Sequence, residues 1–248
     1  HSTDGTSEFC KSYSQANSKV EYHCNNSNVK SAENFRKALL GSVSYAYDYF
    51  MYARGDATIS KNLILDLVNM LESDQRASLA FPKMEWVNVD NIEIKNKKIG
   101  FYDTSGYNVE TRVSLLLMTK PNQIYGLIRA NMVMTLHTEK WWQIVGFDHV
   151  FLCELALKGH FRHMEDGRFF RQYKYDNEVL KNRMQRYRET LLIRPDVLDK
   201  TIPLVKIPFY LIKTVLCSKL NIGSKFKCIF VILLVVPLRF LISKNEKI

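Results

Sequence analysis

The sequence predicts an α/β fold: a doubly wound mixed sheet flanked by helices and followed by apolar C-terminal helices. Three observations carry that expectation. Segments of helical period alternate with segments of strand character, the pattern of a sheet covered on its faces by helices. The stretch from Tyr47 to Leu71 holds a complete strand–loop–helix unit. Beyond Lys200 the chain turns into long apolar runs punctuated by lysines. With 248 residues and 46% hydrophobic content, one sizeable core with an appendage is the natural organisation.

In order, His1 to Thr6 reads as a polar turn around Asp4-Gly5, and Ser7 to Ala16 as a helix with Phe9 and Tyr13 on one face. Val20, Tyr22 and Cys24 alternate with polar residues, as in a short strand. After a loop at Asn25 to Asn28, residues Ala32, Phe35, Ala38, Leu39 and Val43 give a helix. Tyr47, Tyr49, Phe50, Met51 and Tyr52 then form a buried strand, broken by Ala53 to Asp56. Ile59, Leu63, Leu67, Met70 and Leu71 keep the spacing of an amphipathic helix.

Ala77 to Phe81 is an apolar run ended by Pro82, and Trp86 to Tyr102 reads as a hairpin about Asn96-Lys97-Lys98. Val109 to Met118 is helical, Pro121-Asn122 breaks it, and Ile124 to Arg129 is extended. Trp141 to Phe147 leads into Asp148, where Val150, Phe151, Leu155 and Ala156 mark a helix. Asp148 stands at its N-cap and Gly159 at its C′ position. A charged helix (Leu180, Met184, Tyr187, Leu191) closes the body near Pro195, giving a domain over 1–195 and a basic, apolar tail over 196–248.

Charge and cysteine usage narrow the classes. From Lys200 onward nine cationic residues face Glu246 alone, which supplies eight of the ten net positive charges. A nucleic-acid binder interleaves its charges with polar residues. Here they interleave with apolar runs, which points to a membrane surface and away from nucleic acid. Five cysteines without CxxC pairs read as reduced thiols in a cytosolic compartment.

Asp56 lies just past the carboxyl end of a strand, where open α/β sheets put ligands. It also suits the turn it stands in. Four stretches carry a resemblance: Ser2-Thr3-Asp4-Gly5-Thr6, Asn28 through Asn34-Phe35, Tyr49 to Thr58, and Tyr125-Gly126-Leu127-Ile128-Arg129 followed by Gly146-Phe147-Asp148-His149 and Leu155 to Gly159. Together they resemble the family-two glycosyltransferases with the GT-A nucleotide-sugar-binding fold, and among these the bacterial enzymes that build cell-surface or capsular glycans. The family opens with a strand, a helix and a strand ending in an Asp-Asp-Gly turn; this chain starts just after that turn, as an N-terminally truncated member would. Lys30 stands where the family usually has Gly. The acidic DxD metal site here reads Gly55-Asp56-Ala57-Thr58, with one carboxylate.

The resemblance implies transfer of a sugar from a nucleotide-sugar donor to a glycan or lipid-linked acceptor, with inversion by direct displacement. It makes Asp148 the base; an N-cap role suits the same residue. It assigns Asp4, Asn34, Asp56, Arg168 and Arg171 to the donor and its phosphates, although the two arginines equally suit a solvated strand edge. It assigns Tyr125, Gly126, Arg129, Trp142 and His149 to the acceptor side, with core packing as the other role for Trp141 and Trp142. A divalent cation, Mn or Mg, is implied at Asp56. His160 and His163 offer a late metal or phosphate contact, or are surface histidines. A non-catalytic carbohydrate- or partner-binding relative with a degraded metal site is the other reading.

In the tail, Lys206, Tyr210, Lys213 and Thr214 share one narrow face, and Pro208 should kink any helix there. Cys228 to Leu238 is an apolar run of 11 residues, short of the roughly 20 a spanning helix needs. An in-plane anchor on anionic lipid is expected, at the cytoplasmic inner face of the membrane; a pair of core-covering helices is the alternative.

Overall fold

In this computed structural model the described residues are 4–43, 45, 47–55, 57–87, 102–136, 144–172, 182, 185, 186, 189, 197, 198 and 204–245. The elements in chain order are α1 (Thr6–Ala16), α2 (Lys30–Val43), β1 (Tyr49–Met51), β2 (Ala57–Ile59), α3 (Leu63–Glu72) and β3 (Ala77–Val87). Then come α4 (Val109–Met118), a 3-10 turn (Asn122–Tyr125), β4 (Leu127–Arg129), α5 (Ala130–Met134), α6 (Phe147–Lys158), β5 (His160–Gln172), α7 (Lys206–Cys217) and α8 (Ile222–Asn245).

The two long strands organise the sheet. β3 and β5 pair in parallel from Ala77↔His160 to Val87↔Gln172, and the order is β1-β4-β3-β5-β2. β4 runs antiparallel to β1 and β3, and β2 antiparallel to β5, so the sheet is mixed and β1, β3 and β5 share one direction. Pro82 does not end its strand as expected. It sits at a register shift between Pro82 and Lys83, where a missing N–H costs no ladder bond, and the strand runs on to Val87.

α6 is buried on nearly every side, from Phe147 through Leu157, which makes it the central helix rather than a surface one. Gly159 follows it with φ −159, so it is extended and not the left-handed cap expected. Its glycine is required by contact instead: a Cβ there would lie 2.6 Å from the Arg76 carbonyl oxygen and 2.9 Å from Ser78.

Other expectations yield to packing. Val20 to Cys24 forms no strand: no strand among the described residues pairs with it, and the stretch is largely exposed. β1 is a three-residue, half-buried edge strand, shorter than the buried run expected. Ile59 belongs to β2, and the helix starts at Leu63, with Leu63, Leu67 and Leu71 buried. The expected Asn96 hairpin and the helix of Leu180, Met184, Tyr187 and Leu191 fall outside the described residues.

The tail helices pack into the same core as the sheet. α7 buries Ile207, Leu211 and Val215, and α8 buries Cys228, Ile232, Val235 and Val236. Each large aliphatic side chain so buried stabilises by roughly 1.5–3 kcal/mol. Pro208 sits in the first turn of α7, where its missing N–H has no helical partner to lose, and the helix runs on through it to Cys217. The run from Cys228 to Leu238 lies inside a helix of 24 residues, longer than the apolar stretch suggested. No helix among the described residues is long and apolar enough to cross a membrane.

Candidate active site

Phe35 of α2 is where the candidate segments meet. Its ring centroid lies 4.6 Å from that of Tyr52, 6.3 Å from Tyr125 and 5.6 Å from Phe147. The Tyr52 hydroxyl also donates to the Phe35 carbonyl at 2.9 Å. Tyr52 opens the loop that leads to Asp56, Tyr125 closes the 3-10 turn, and Phe147 precedes Asp148. Aromatic packing thus gathers three distant segments. They lie at the carboxyl ends of β1, β3 and β5, since α6 finishes one residue before β5 begins and, at about 18 Å long, starts toward the other end of the sheet.

One side of this place is cationic. The Arg54 guanidinium lies 6.0 Å from the Tyr125 ring centroid, with Nη1 3.4 Å from the hydroxyl. The Arg171 guanidinium lies 5.5 Å from the same ring and 4.8 Å from Trp86, and donates to Asn122 Oδ1 at 3.1 Å. Ala57, next in sequence to Asp56, pairs with Arg171 across β2 and β5. Asp56 itself falls outside the described residues. Arg54 was not singled out in the sequence; its signal is a guanidinium two residues before Asp56 in a strand-end loop. Arg168 is not brought to Arg171. The two are three apart on a strand, hence on opposite faces, and Arg168 Nε is held 2.8 Å from Glu85 Oε1.

Asp148 is the second residue of α6 and not its N-cap; that position is Gly146, with φ 89. The Asp148 Oδ1 accepts the His149 N–H at 3.0 Å, and the helix N-terminus favours the negative charge. His149 Nε2 lies 2.7 Å from Arg239 Nη1 of α8. A guanidinium only donates, so Nε2 accepts and the ring proton resides on Nδ1. Nδ1 in turn lies 3.3 Å from Asp148 Oδ1, close but not aligned as a hydrogen bond. A Cβ on Gly146 would lie 2.5 Å from Ile207 of α7, so the turn before Asp148 is pressed by the tail.

The remaining candidates have structural duties. Asp4 Oδ1 accepts from Thr6 N at 3.2 Å and Thr6 Oγ1 at 2.6 Å, and these bonds hold its carboxyl below the ordinary range while starting α1. Asn34 Oδ1 is exposed and accepts from Asn25 at 3.0 Å. Gly126 permits close packing on β3, since its Cβ would lie 2.7 Å from the Ala80 carbonyl oxygen. Arg129 stands at the amino end of β1 and β3, away from the Phe35 cluster, and donates to the Leu71, Ala77 and Asp74 carbonyls. Trp141 and Trp142 fall outside the described residues. His160 Nε2 lies 2.7 Å from Asp74 Oδ2, and His163 stacks on Phe81 at 4.8 Å with burial pushing its pKa down. No group of three His, Cys, Asp or Glu side chains among the described residues is placed to hold a metal ion.

No family model and no curated protein matches the sequence. Among solved structures the chain is similar to S. aureus TarS 1-349, a glycosyltransferase structure, with a TM-score of 0.59 at 12% identity over 99% of this chain. The chain spans 62% of that structure. At this identity the likeness shows the fold: a mixed α/β sheet flanked by helices, of the GT-A-like kind the sequence predicts.

Proposed function

We propose that the chain transfers a sugar from a nucleotide-sugar donor to a hydroxyl of a glycan or lipid-linked acceptor at the cytoplasmic face of a membrane. The observation that carries this reading is the meeting at Phe35 of the segments bearing Arg54, Tyr125 and Asp148. The GT-A-like fold shared with a glycosyltransferase supports it.

In this reading Asp148 takes the proton of the acceptor hydroxyl as that oxygen attacks the sugar carbon, which inverts. The diphosphate departs toward Arg54 and Arg171, whose fixed guanidinium groups match phosphate oxygens. Tyr125 presents one ring to both cations. The residues near Asp56 fit a protein-held divalent cation poorly. The loop supplies one carboxylate, flanked two residues earlier by a guanidinium, where a hard cation calls for several oxygen ligands. The two arginines therefore carry the charge in this scheme, and no step runs through a metal.

The test is release of nucleoside diphosphate from a panel of nucleotide sugars by the full-length protein, with and without Mn²⁺. Asp148→Asn should lower turnover by about 10²–10⁴-fold while donor binding persists. Unchanged turnover in that variant refutes the role of Asp148. Donor binding without turnover in the wild type selects the second reading, a carbohydrate-binding relative, which the lone carboxylate beside Arg54 favours.

A further inference from the structure

α7 and α8 are each held to the body along one side and expose the other. On α7 the inward row is Ile207, Leu211 and Val215, and the outward row Phe209, Lys213 and Leu216. On α8 the inward row includes Cys228, Ile232 and Val235, and the outward stripe runs Ile222, Phe226, Phe230, Leu233 and Leu234. Phe209, Phe226 and Phe230 are 69%, 70% and 67% exposed, and Phe226 and Phe230 stand one turn apart in a single stripe rather than singly. From Leu204 to Asn245 there are seven Lys or Arg residues and no acid.

We propose that this outward side is a docking surface for an anionic lipid bilayer, on which both helices lie flat. The partner is chosen by the combination of chemistries. A second copy of this chain would set exposed lysines such as Lys213 and Lys219 against their own counterparts, with no acid on either helix to answer them. Nucleic acid would answer the charge but leave the leucines and phenylalanines wet. An anionic bilayer does both: lysine ammonium groups stay among the headgroups while the apolar stripe enters the acyl boundary, about 5–10 Å deep. Lys213 and Lys219 are exposed for this. Lys225 and Lys227 also have duties within the fold, on the Leu216 carbonyl at 2.8 Å and on Glu110 at 3.4 Å. The inward anchoring matters as well, because the stripe cannot turn inward to hide. The surface bears on where the proposed transfer takes place and not on its chemistry, so failure of vesicle binding removes the location and leaves the sugar transfer to its own test.

The experiment is co-sedimentation of the full-length chain with phosphatidylglycerol-rich vesicles and with pure phosphatidylcholine vesicles, on three proteins of equal thermal midpoint. The wild type should pellet with the anionic vesicles and far less with the neutral ones. Lys213→Glu with Lys219→Glu should weaken that partition by at least about 25-fold, at roughly fivefold per lysine lost. Phe226→Ser with Phe230→Ser should abolish it, although the charge is untouched. A wild type that stays in the supernatant overturns the proposal, as does a serine variant that pellets like the wild type. Equal pelleting with both vesicle types overturns the anionic preference. A wild-type dimer that the serine variant converts to monomer, without vesicle binding, assigns the surface to a second copy. Binding to duplex DNA at physiological salt, again without vesicle binding, assigns it to nucleic acid.

Discussion

Arg239, toward the end of α8, places Nη1 2.7 Å from Nε2 of His149, the residue that follows Asp148. The same guanidinium nitrogen donates to the Leu117 carbonyl at 2.7 Å, so the arginine bridges the end of α4 to the start of α6. Because the guanidinium only donates, it fixes which imidazole nitrogen carries hydrogen and leaves Nδ1–H 3.3 Å from Asp148 Oδ1, near the carboxylate though not aligned as a hydrogen bond. The tail thus sets a proton position beside the proposed base.

Reversing that donor tests the arrangement. The carboxylate introduced by Arg239→Glu accepts instead of donating and draws the ring proton to Nε2, leaving a lone pair against Asp148. The expected outcome is a fall in kcat of about tenfold, or ~1.4 kcal/mol, with the donor KM unchanged. Arg239→Lys keeps a donor and should retain most of the rate. Nitrogen NMR of His149 reads the tautomer directly, and an unchanged tautomer in the glutamate variant would remove the argument.

Arg54 and Arg171 share the Tyr125 ring, whereas Arg168 is turned to the other face of β5 and paired with Glu85. Losing a charge-assisted contact to phosphate costs roughly 1.5–3 kcal/mol. Arg54→Ala and Arg171→Ala should therefore each weaken nucleoside diphosphate binding by at least about tenfold in calorimetry at low salt. Arg168→Ala should change it by less than about twofold, as for a residue outside the site. Equal effects from all three variants would mean that general basicity, and not this pair, attracts the nucleotide.

Much of this arrangement was legible where burial recurs at helical spacing. Leu63, Leu67 and Leu71 announce α3, and the nearly continuous apolar run after Asp148 announces α6, because a helix inside the core repeats its contacts every turn. Short edge elements were legible only in part: β1 lies within the strand read from Tyr47 to Tyr52, whereas β2 falls where a loop and a helix start are expected. Three-residue strands such as β1 and β2 are fixed by partners at Arg129 and Arg171, far along the chain, while the alternation of Val20 to Cys24 found no partner. In the site, Asp148 could be named from its neighbours, but Arg239 could not, since 90 residues separate it from His149. Asn34 drew notice in the sequence, yet the adjacent Phe35 makes the cluster. Side-chain direction within α2 decides that, and only packing reveals it.

Close approach at Gly159 gives a stability prediction. Gly159→Ala places a methyl group 2.6 Å from the Arg76 carbonyl oxygen and 2.9 Å from the Ser78 amide nitrogen, both backbone atoms that a side-chain shift cannot relieve. Overpacking of this kind costs about 1–3 kcal/mol, and the thermal midpoint should fall accordingly. The extended φ of −159 is open to alanine, so an unchanged midpoint would show that β3 and β5 can part at their first residues.

Acid stability should depend on Arg162, which lies 3.2 Å from Asp74 Oδ2 and 3.1 Å from Asp103 Oδ2. Burial pushes both carboxyls up. Hydrogen bonds outweigh it, from His160, Arg76 and Arg162 at Asp74 and from Ser105, His163 and Arg162 at Asp103, so both lie below the ordinary 3.8. As pH falls the unfolded chain then takes up these protons first, so the stabilisation is present above about pH 4 and is lost through the depressed folded values. His163, held below 6.5 by burial, acts in the same direction from a higher pH: its unfolded form protonates first as pH drops through 6.5. Arg162→Met should destabilise by roughly 1.5–3 kcal/mol at neutral pH and flatten the acid limb of urea midpoints below about pH 4, leaving the limb near pH 6 in place. Parallel curves for variant and wild type below pH 4 would show that the two carboxylates owe their depression to His160, Ser105 and the backbone amides rather than to the guanidinium.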